Sequence, residues 1–143
     1  APASVNFIIF LSGVSDMKTK FFVCETCGNI ATKLKDSGVP LVCCGRPMKE
    51  LAANSTEAAG EKHVPVVEVN GTKVLVTVGS VEHPMTEEHL ITWIYLETQQ
   101  GCQKKMLTAG DASKASFALV EGDAVKAAYA YCNLHGLWKA VVQ

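Results

Sequence analysis

The chain has 143 residues, a formal charge of −1, 48% hydrophobic residues and 19% charged ones. That suffices for one ordinary domain or two small ones, and it is the composition of a globular chain rather than a disordered one. No basic stripe or Lys/Arg-rich run is present, which argues against a nucleic-acid partner, and no apolar run approaches the ~20 residues of a membrane helix.

The longest apolar run is FIIFL, Phe7–Leu11. It is too short to span a bilayer, and no positive stretch precedes it, so it does not read as a signal peptide. Residues 1–16 read as an N-terminal extension, with Met17 as a natural start.

Residues 17–50 carry four of the six cysteines, several glycines and short strand-like pieces: KFFVC, IATKL and PLVCC. Cys24-x-x-Cys27 and the neighbours Cys43-Cys44 are separated by 15 residues, and a glycine follows each set, Gly28 and Gly45. Adjacent cysteines have Cα atoms ~3.8 Å apart, closer than the ~4.4–6.8 Å of ordinary disulfides. The pattern therefore suits a metal in a reducing compartment, by default the cytoplasm. A glycine after the last ligand permits the positive φ with which a metal knuckle turns its amides toward sulfur. Four thiolates make a tetrahedral site for zinc or iron, and a segment this small needs such a staple. Spacing alone favours zinc.

Residues 51–60, LAANSTEAAG, are small, polar and patternless, and read as a linker. Residues 61–143 read as β-rich. VPVVEVNGTKVLVTVG is the clearest hairpin, with Asn70-Gly71 as its turn. After it, Val74, Val76 and Val78 alternate with Lys73, Leu75 and Thr77, the period of a strand with one buried face. HLITWIYLET, QKKML, SFALV, VKAAYAYC and LWKAVV follow as strands between turn-forming QQG, TAGDAS, EGD and NLHG. DAVKAAYAYC has helix-forming alanines, but its valine and two tyrosines favour a strand. About seven short strands in ~80 residues suggest a β-sandwich or small barrel.

All four histidines lie in this region, at turns or strand ends: His63, His83 before Pro84, His89, and His135 in the C-x-x-H turn with Cys132. Each alone is ordinary. Together, four imidazoles and a thiolate could form one five-coordinate site, and imidazole suits iron, copper, nickel and zinc alike. Cys102 is left over as an unliganded thiol. Trp93 and Tyr95 read as core, and Trp138 as packing beside the histidines.

FVCETCGNIATKL and LVCCGRPMKEL resemble the desulforedoxin-like N-terminal domain of two-iron superoxide reductases, the desulfoferrodoxin family. EKHVPVVE, VGSVEHPMTEEHLITWIYLE and YCNLHGLWKA resemble that family's catalytic domain. The resemblance covers nearly everything from Met17 onward. It implies a mostly β chain: an extension at 1–16, a rubredoxin-like metal knuckle at 17–50, a linker at 51–60 and an immunoglobulin-like sandwich of about seven strands at 61–143. It implies two iron ions, against the preference of spacing for zinc. One would be held by Cys24, Cys27, Cys43 and Cys44. The other would be held equatorially by His63, His83, His89 and His135 and axially by Cys132, with the sixth position open. The family's catalytic glutamate and lysine fall on Glu61 and Lys62.

By the same resemblance the reaction takes one superoxide, one electron and two protons to hydrogen peroxide without releasing oxygen. The electron would come from a rubredoxin-like carrier, and the protein would be a homodimer. Three other readings compete: a zinc-stapled β-sandwich binding module, an iron electron carrier with a closed site, and a dismutase, which would release oxygen.

Overall fold

The computed structural model describes residues 19–56 and 58–142. The expected extension at 1–16 and the start at Met17 lie outside the described residues. The chain divides into two compact units between Ala52 and Ala53.

In the first unit, β1 (Phe21–Val23) pairs antiparallel with β2 (Ile30–Thr32) on one side and with β5 (Lys49–Glu50) on the other. A separate hairpin joins β3 (Val42–Cys43) to β4 (Arg46–Pro47). Its two-residue turn is Cys44-Gly45, with φ of 53° and 75°. Two successive positive φ values are those of a type I′ turn, whose twist matches the strands it joins. Sequence foresaw this backbone at Gly45 but not at Cys44, which bears a Cβ and takes it at some cost. Phe21 and Cys24 are the buried apolar side chains of this unit among its described residues. So small a core cannot hold the unit, which places the weight on the cysteines.

The second unit is a β-sandwich. Its first sheet has the order β10-β7-β6, from Lys114–Ala118, Lys73–Val78 and Pro65–Asn70. Its second has the order β12-β11-β8-β9, from Gly136–Val141, Val125–Cys132, Ile91–Thr98 and Cys102–Met106. All neighbours are antiparallel. The core between the sheets takes Val74, Val76, Val78, Ala115 and Phe117 from the first and Ile91, Ile94, Leu96, Ala128, Ala130 and Cys132 from the second. The alternation read from the valines of β7 is therefore the buried face.

The alanine-rich segment is a strand because β8 and β12 pair with it on both sides. Two ladders outweigh the helix preference of alanine. The β6–β7 hairpin forms, but its turn sits one residue later than expected. Asn70 pairs with Lys73, so Gly71-Thr72 is the loop, and Gly71 alone of the two takes positive φ, at 62°. Glycine at the first central position is the requirement of a type II′ turn.

The segment read as a linker is bonded along its length. Leu51 N–H donates to the Phe21 carbonyl in the first unit at 2.8 Å. In the second unit Asn54 exchanges side-chain bonds with the Lys139 backbone at 2.8 and 3.1 Å, and Thr56 Oγ1 donates to the His135 carbonyl at 2.7 Å. A short helical turn, α1 (Gly60–His63), then delivers Glu61, Lys62 and His63. No helix among the described residues is long and apolar enough to cross a membrane.

Candidate metal centres

Cys24, Cys27, Cys43 and Cys44 converge, one ligand atom each, within 4.8 Å of one another. Cys24 directly follows β1, and the chain turns back at once: Gly28 N–H donates to the Cys24 carbonyl and Cys24 N–H to that of Asn29, both at 2.8 Å. Gly28 takes φ of 83°. Cys27 N–H points at Cys24 Sγ at 3.5 Å, and Asn29 Nδ2 at Cys43 Sγ at 3.7 Å. Cys27 and Cys43 sulfurs are 3.6 Å apart, and those of Cys43 and Cys44 are 4.0 Å apart. A tetrahedron with metal–sulfur bonds of ~2.3 Å has edges of about 3.8 Å, so the spacing fits a four-thiolate site.

The electrostatics agree. The Cys27 amide lowers the Cys24 thiol to about 6, so a thiolate forms there easily. Hydrogen bonding to Cys24 raises Cys43, and the same partner raises Cys44 to about 12. One thiolate thus opposes the next, and a cation relieves the conflict.

The second cluster gathers His63 at the end of α1, His83 and His89 on the loop between β7 and β8, Cys132 at the end of β11, and His135 in the β11–β12 turn. The ligand atoms of His63, His83, His89 and Cys132 lie within 4.8 Å of one another. His135 Nδ1 is 3.1 Å from His63 Nε2 and 3.8 Å from Cys132 Sγ. Neighbouring rings meet edge-on, with centroids 4.7 Å apart for His63–His83 and His83–His89, 5.1 Å for His89–His135 and 4.9 Å for His135–His63. His63 and His89 face each other across 6.4 Å. Four short sides and a longer His63–His89 diagonal make a four-membered ring of imidazoles rather than a regular tetrahedron, in which every separation would be equal. Cys132 belongs to the apolar core, so its sulfur joins the cluster from a buried position.

Ring tautomers follow from the partners. His63 Nδ1 donates to the Ala59 carbonyl at 2.7 Å, and His83 Nδ1 to that of Pro84 at 2.6 Å. A carbonyl only accepts, so both protons sit on Nδ1 and both Nε2 atoms present lone pairs. Burial lowers the pKa of His63 and His89 and drives His83 down to about 4, so these rings are neutral near pH 7. His89 Nε2 is buried with no hydrogen-bond partner. Two Nε2 lone pairs converging with the buried, unpartnered Nε2 of His89 fit a bound metal ion.

Trp138 stacks on His63, with centroids 4.8 Å apart, as expected from sequence. Trp93 is buried and stacks on Tyr131 across the β8–β11 ladder at 5.7 Å. Cys102 is exposed on β9 and forms no disulfide.

Glu61 and Lys62 are exposed on α1 beside this cluster. The ammonium of Lys62 contributes to the lowering of both His63 and His89, which sets its positive charge near the rings. The turn that holds α1 was not foreseen. Gly79 N–H donates to the Val64 carbonyl at 3.0 Å, and Val81 N–H to that of Glu61 at 2.9 Å. Gly79 takes φ of 81°, and a Cβ there would lie 2.6–2.7 Å from Glu61 O, Val81 O and Lys62 C. A glycine directly after a strand was the available signal. Asn133, inside the C-x-x-H turn, was also passed over; its bonds join segments over forty residues apart.

Known proteins agree with both halves of the chain. The family description "Desulfoferrodoxin, N-terminal domain" matches residues 17–51, and "Desulfoferrodoxin" matches residues 55–141. A desulfoferrodoxin of Nitratidesulfovibrio vulgaris is 48% identical over 121 residues, covering 85% of this chain and 94% of its own. A superoxide reductase of Pyrococcus horikoshii is 38% identical over 101 residues, covering 59% of this chain and 88% of its own. The crystal structure of the superoxide reductase from Treponema pallidum is 40% identical and superposes with a TM-score of 0.75, covering 87% of this chain and 99% of that one. Matched over both units and over nearly the full length of such relatives, the chain belongs to the desulfoferrodoxin family.

Proposed function

We propose that the protein is a superoxide reductase, an oxidoreductase that takes one superoxide, one electron and two protons to hydrogen peroxide. The observation that carries this reading is the convergence of four imidazoles and the Cys132 sulfur. It supports a metal that would be held by His63, His83, His89, His135 and Cys132. Family membership favours iron there and at the four cysteines. Iron at the histidine cluster would supply the electron and an open coordination position for the anion.

The protein's own residues prepare that exchange. The Ala59 and Pro84 carbonyls fix the rings of His63 and His83 through Nδ1, leaving Nε2 as the donor atom. The five ligands together carry one negative charge, so a divalent ion keeps net positive charge and attracts an anion. Lys62, exposed beside His63, would add to that field and order water at the mouth. Water there would deliver the protons that peroxide needs. Glu61, exposed on the same turn, is by resemblance the carboxylate that would take the substrate's place at the metal once it has left.

The knuckle at Cys24, Cys27, Cys43 and Cys44 is a separate centre in a separate unit, and a small rubredoxin-like carrier is the electron donor we favour. The six thiols, none in a disulfide, suit the cytoplasm. A homodimer is the assembly the family resemblance favours.

The test is to add superoxide to the reduced, iron-loaded protein and measure both products. Peroxide without oxygen supports a reductase. Oxygen in equal amount would make it a dismutase, and no superoxide loss would leave an electron carrier.

A further inference from the structure

We propose that Asn133 is a positioning residue that holds His89 in register with Cys132 and His135; this rests on the reading of the histidine cluster as a metal site. Asn133 follows the last residue of β11. Its Oδ1 accepts from Leu90 N–H at 3.0 Å, and its Nδ2 donates to the Glu88 carbonyl at 2.9 Å. Its own backbone N–H donates to the Leu90 carbonyl at 3.2 Å. One residue therefore grips the main chain on both sides of His89.

His89 needs this grip more than its neighbours do. Main-chain carbonyls orient the rings of His63 and His83 through Nδ1. No hydrogen bond reaches the His89 ring among the described residues, and its Nε2 is buried without a partner. The ring is placed by its backbone and by packing against the rings of His83 and His135, with no hydrogen bond of its own. Part of that support is local: Thr86 N–H donates to the His89 carbonyl at 2.9 Å, and His89 N–H to Thr86 Oγ1 at 3.1 Å. These bonds shape the loop but do not tie it to β11.

The β8–β11 ladder supplies only part of the tie. Its register slips between Tyr131, opposite Trp93, and Cys132, opposite Ile91. Beyond that slip one backbone bond remains, from Asn133 N–H to the Leu90 carbonyl, and the Asn133 side-chain amide adds two more. An amide suits the task because one end accepts and the other donates. Ile91 and Cys132 are themselves fixed in the core, so the clamp transmits a rigid reference to a loop ligand. Outer-shell partners of this kind typically alter metal affinity by ~10–100-fold.

The experiment titrates cobalt(II), without oxygen, into the metal-free full chain and follows thiolate-to-cobalt absorption at both centres. The four-cysteine centre serves as an internal reference. Asn133→Ala is expected to weaken binding at the histidine–cysteine centre by ~10–100-fold and to change its ligand-field bands, with the reference centre unaltered. Asn133→Asp keeps the acceptor for Leu90 N–H and loses the donor to Glu88, so its loss should be smaller. Unchanged affinity and bands in Asn133→Ala, or equal weakening at both centres, would overturn the proposal. If Asn133→Ala does not fold, Asn133→Asp decides by the same comparison. Selective weakening with an altered spectrum supports the clamp, and a wild-type titration refutes it. A wild-type protein that binds cobalt at both centres, yet consumes no superoxide when loaded with iron, would defeat the functional reading and leave the clamp standing.

Discussion

His63 and His83 face each other Nε2 to Nε2 across 3.2 Å, while each ring spends its Nδ1 proton on a main-chain carbonyl. Two lone pairs at that distance repel unless a cation or a proton lies between them. Burial disfavours the proton, so the pair is organised for a metal.

The metal-free protein should therefore be acid-sensitive in a defined window. In the unfolded chain these rings take up protons below about 6.5; in the folded chain burial lowers His63 and His89 and brings His83 to about 4. Between those values the unfolded state binds more protons, so stability falls as pH falls. For His83 alone the loss is on the order of 3 kcal/mol by pH 4. Thermal melts of metal-free protein from pH 7.5 to 4 read this directly; a flat profile would mean the rings are not held neutral.

Cys132→Ser should abolish superoxide reduction and remove the visible thiolate-to-iron band of the histidine centre, while the four-cysteine spectrum persists. Cys132 is fully buried in the core, so a change in melting temperature should accompany the loss. Retained activity would remove Cys132 from the ligand set.

The first centre should be separable from the second. Cys24→Ser is expected to cost the four-cysteine iron and to unfold its unit, which has little else to hold it. The histidine centre should keep its iron and most of its activity. Loss of both irons on metal analysis would refute that independence.

The sequence carried the elements further than the joints between them. Val74, Val76 and Val78 announce their buried face by period alone, and Cys24-x-x-Cys27 with Gly28 announces its knuckle. Both are local patterns with a fixed physical cause. The Asn70-Gly71 hairpin was right, but its turn lies one residue later and is type II′ rather than the expected type I′, because the pairing of Asn70 with Lys73 is set by the sheet rather than by the dipeptide. The helical turn at Gly60–His63 carries no apolar period to betray it. The supports of the metal ligands were least visible. Ala59 and Pro84 act through backbone carbonyls, and Asn133 reaches Leu90 across 43 positions. No local pattern encodes such bonds.

Gly79→Ala should damage the reaction without touching a ligand. Its Cβ would meet three backbone atoms at 2.6–2.7 Å, all within the turn or in the Glu61-Lys62 segment. Together with the forced positive φ this should lower stability by roughly 1–3 kcal/mol. It should also displace α1, slowing the reaction with superoxide several-fold. Unaltered stability in a denaturant melt would contradict the close approach.

Lys62→Ala should slow encounter with superoxide a few-fold and flatten its dependence on ionic strength, because a nearby positive charge steers an anion and salt screens it. Rates measured across a salt series separate the two cases. An unchanged salt profile would leave Lys62 as surface charge with no part in the reaction.

The most direct measurement is metal content together with the visible spectrum of the reduced protein before and after superoxide. Two irons per chain, a thiolate-to-iron band that appears at the histidine centre on addition, and peroxide in step with it are the predicted result. One zinc per chain and a colourless protein that superoxide leaves unchanged would contradict the account.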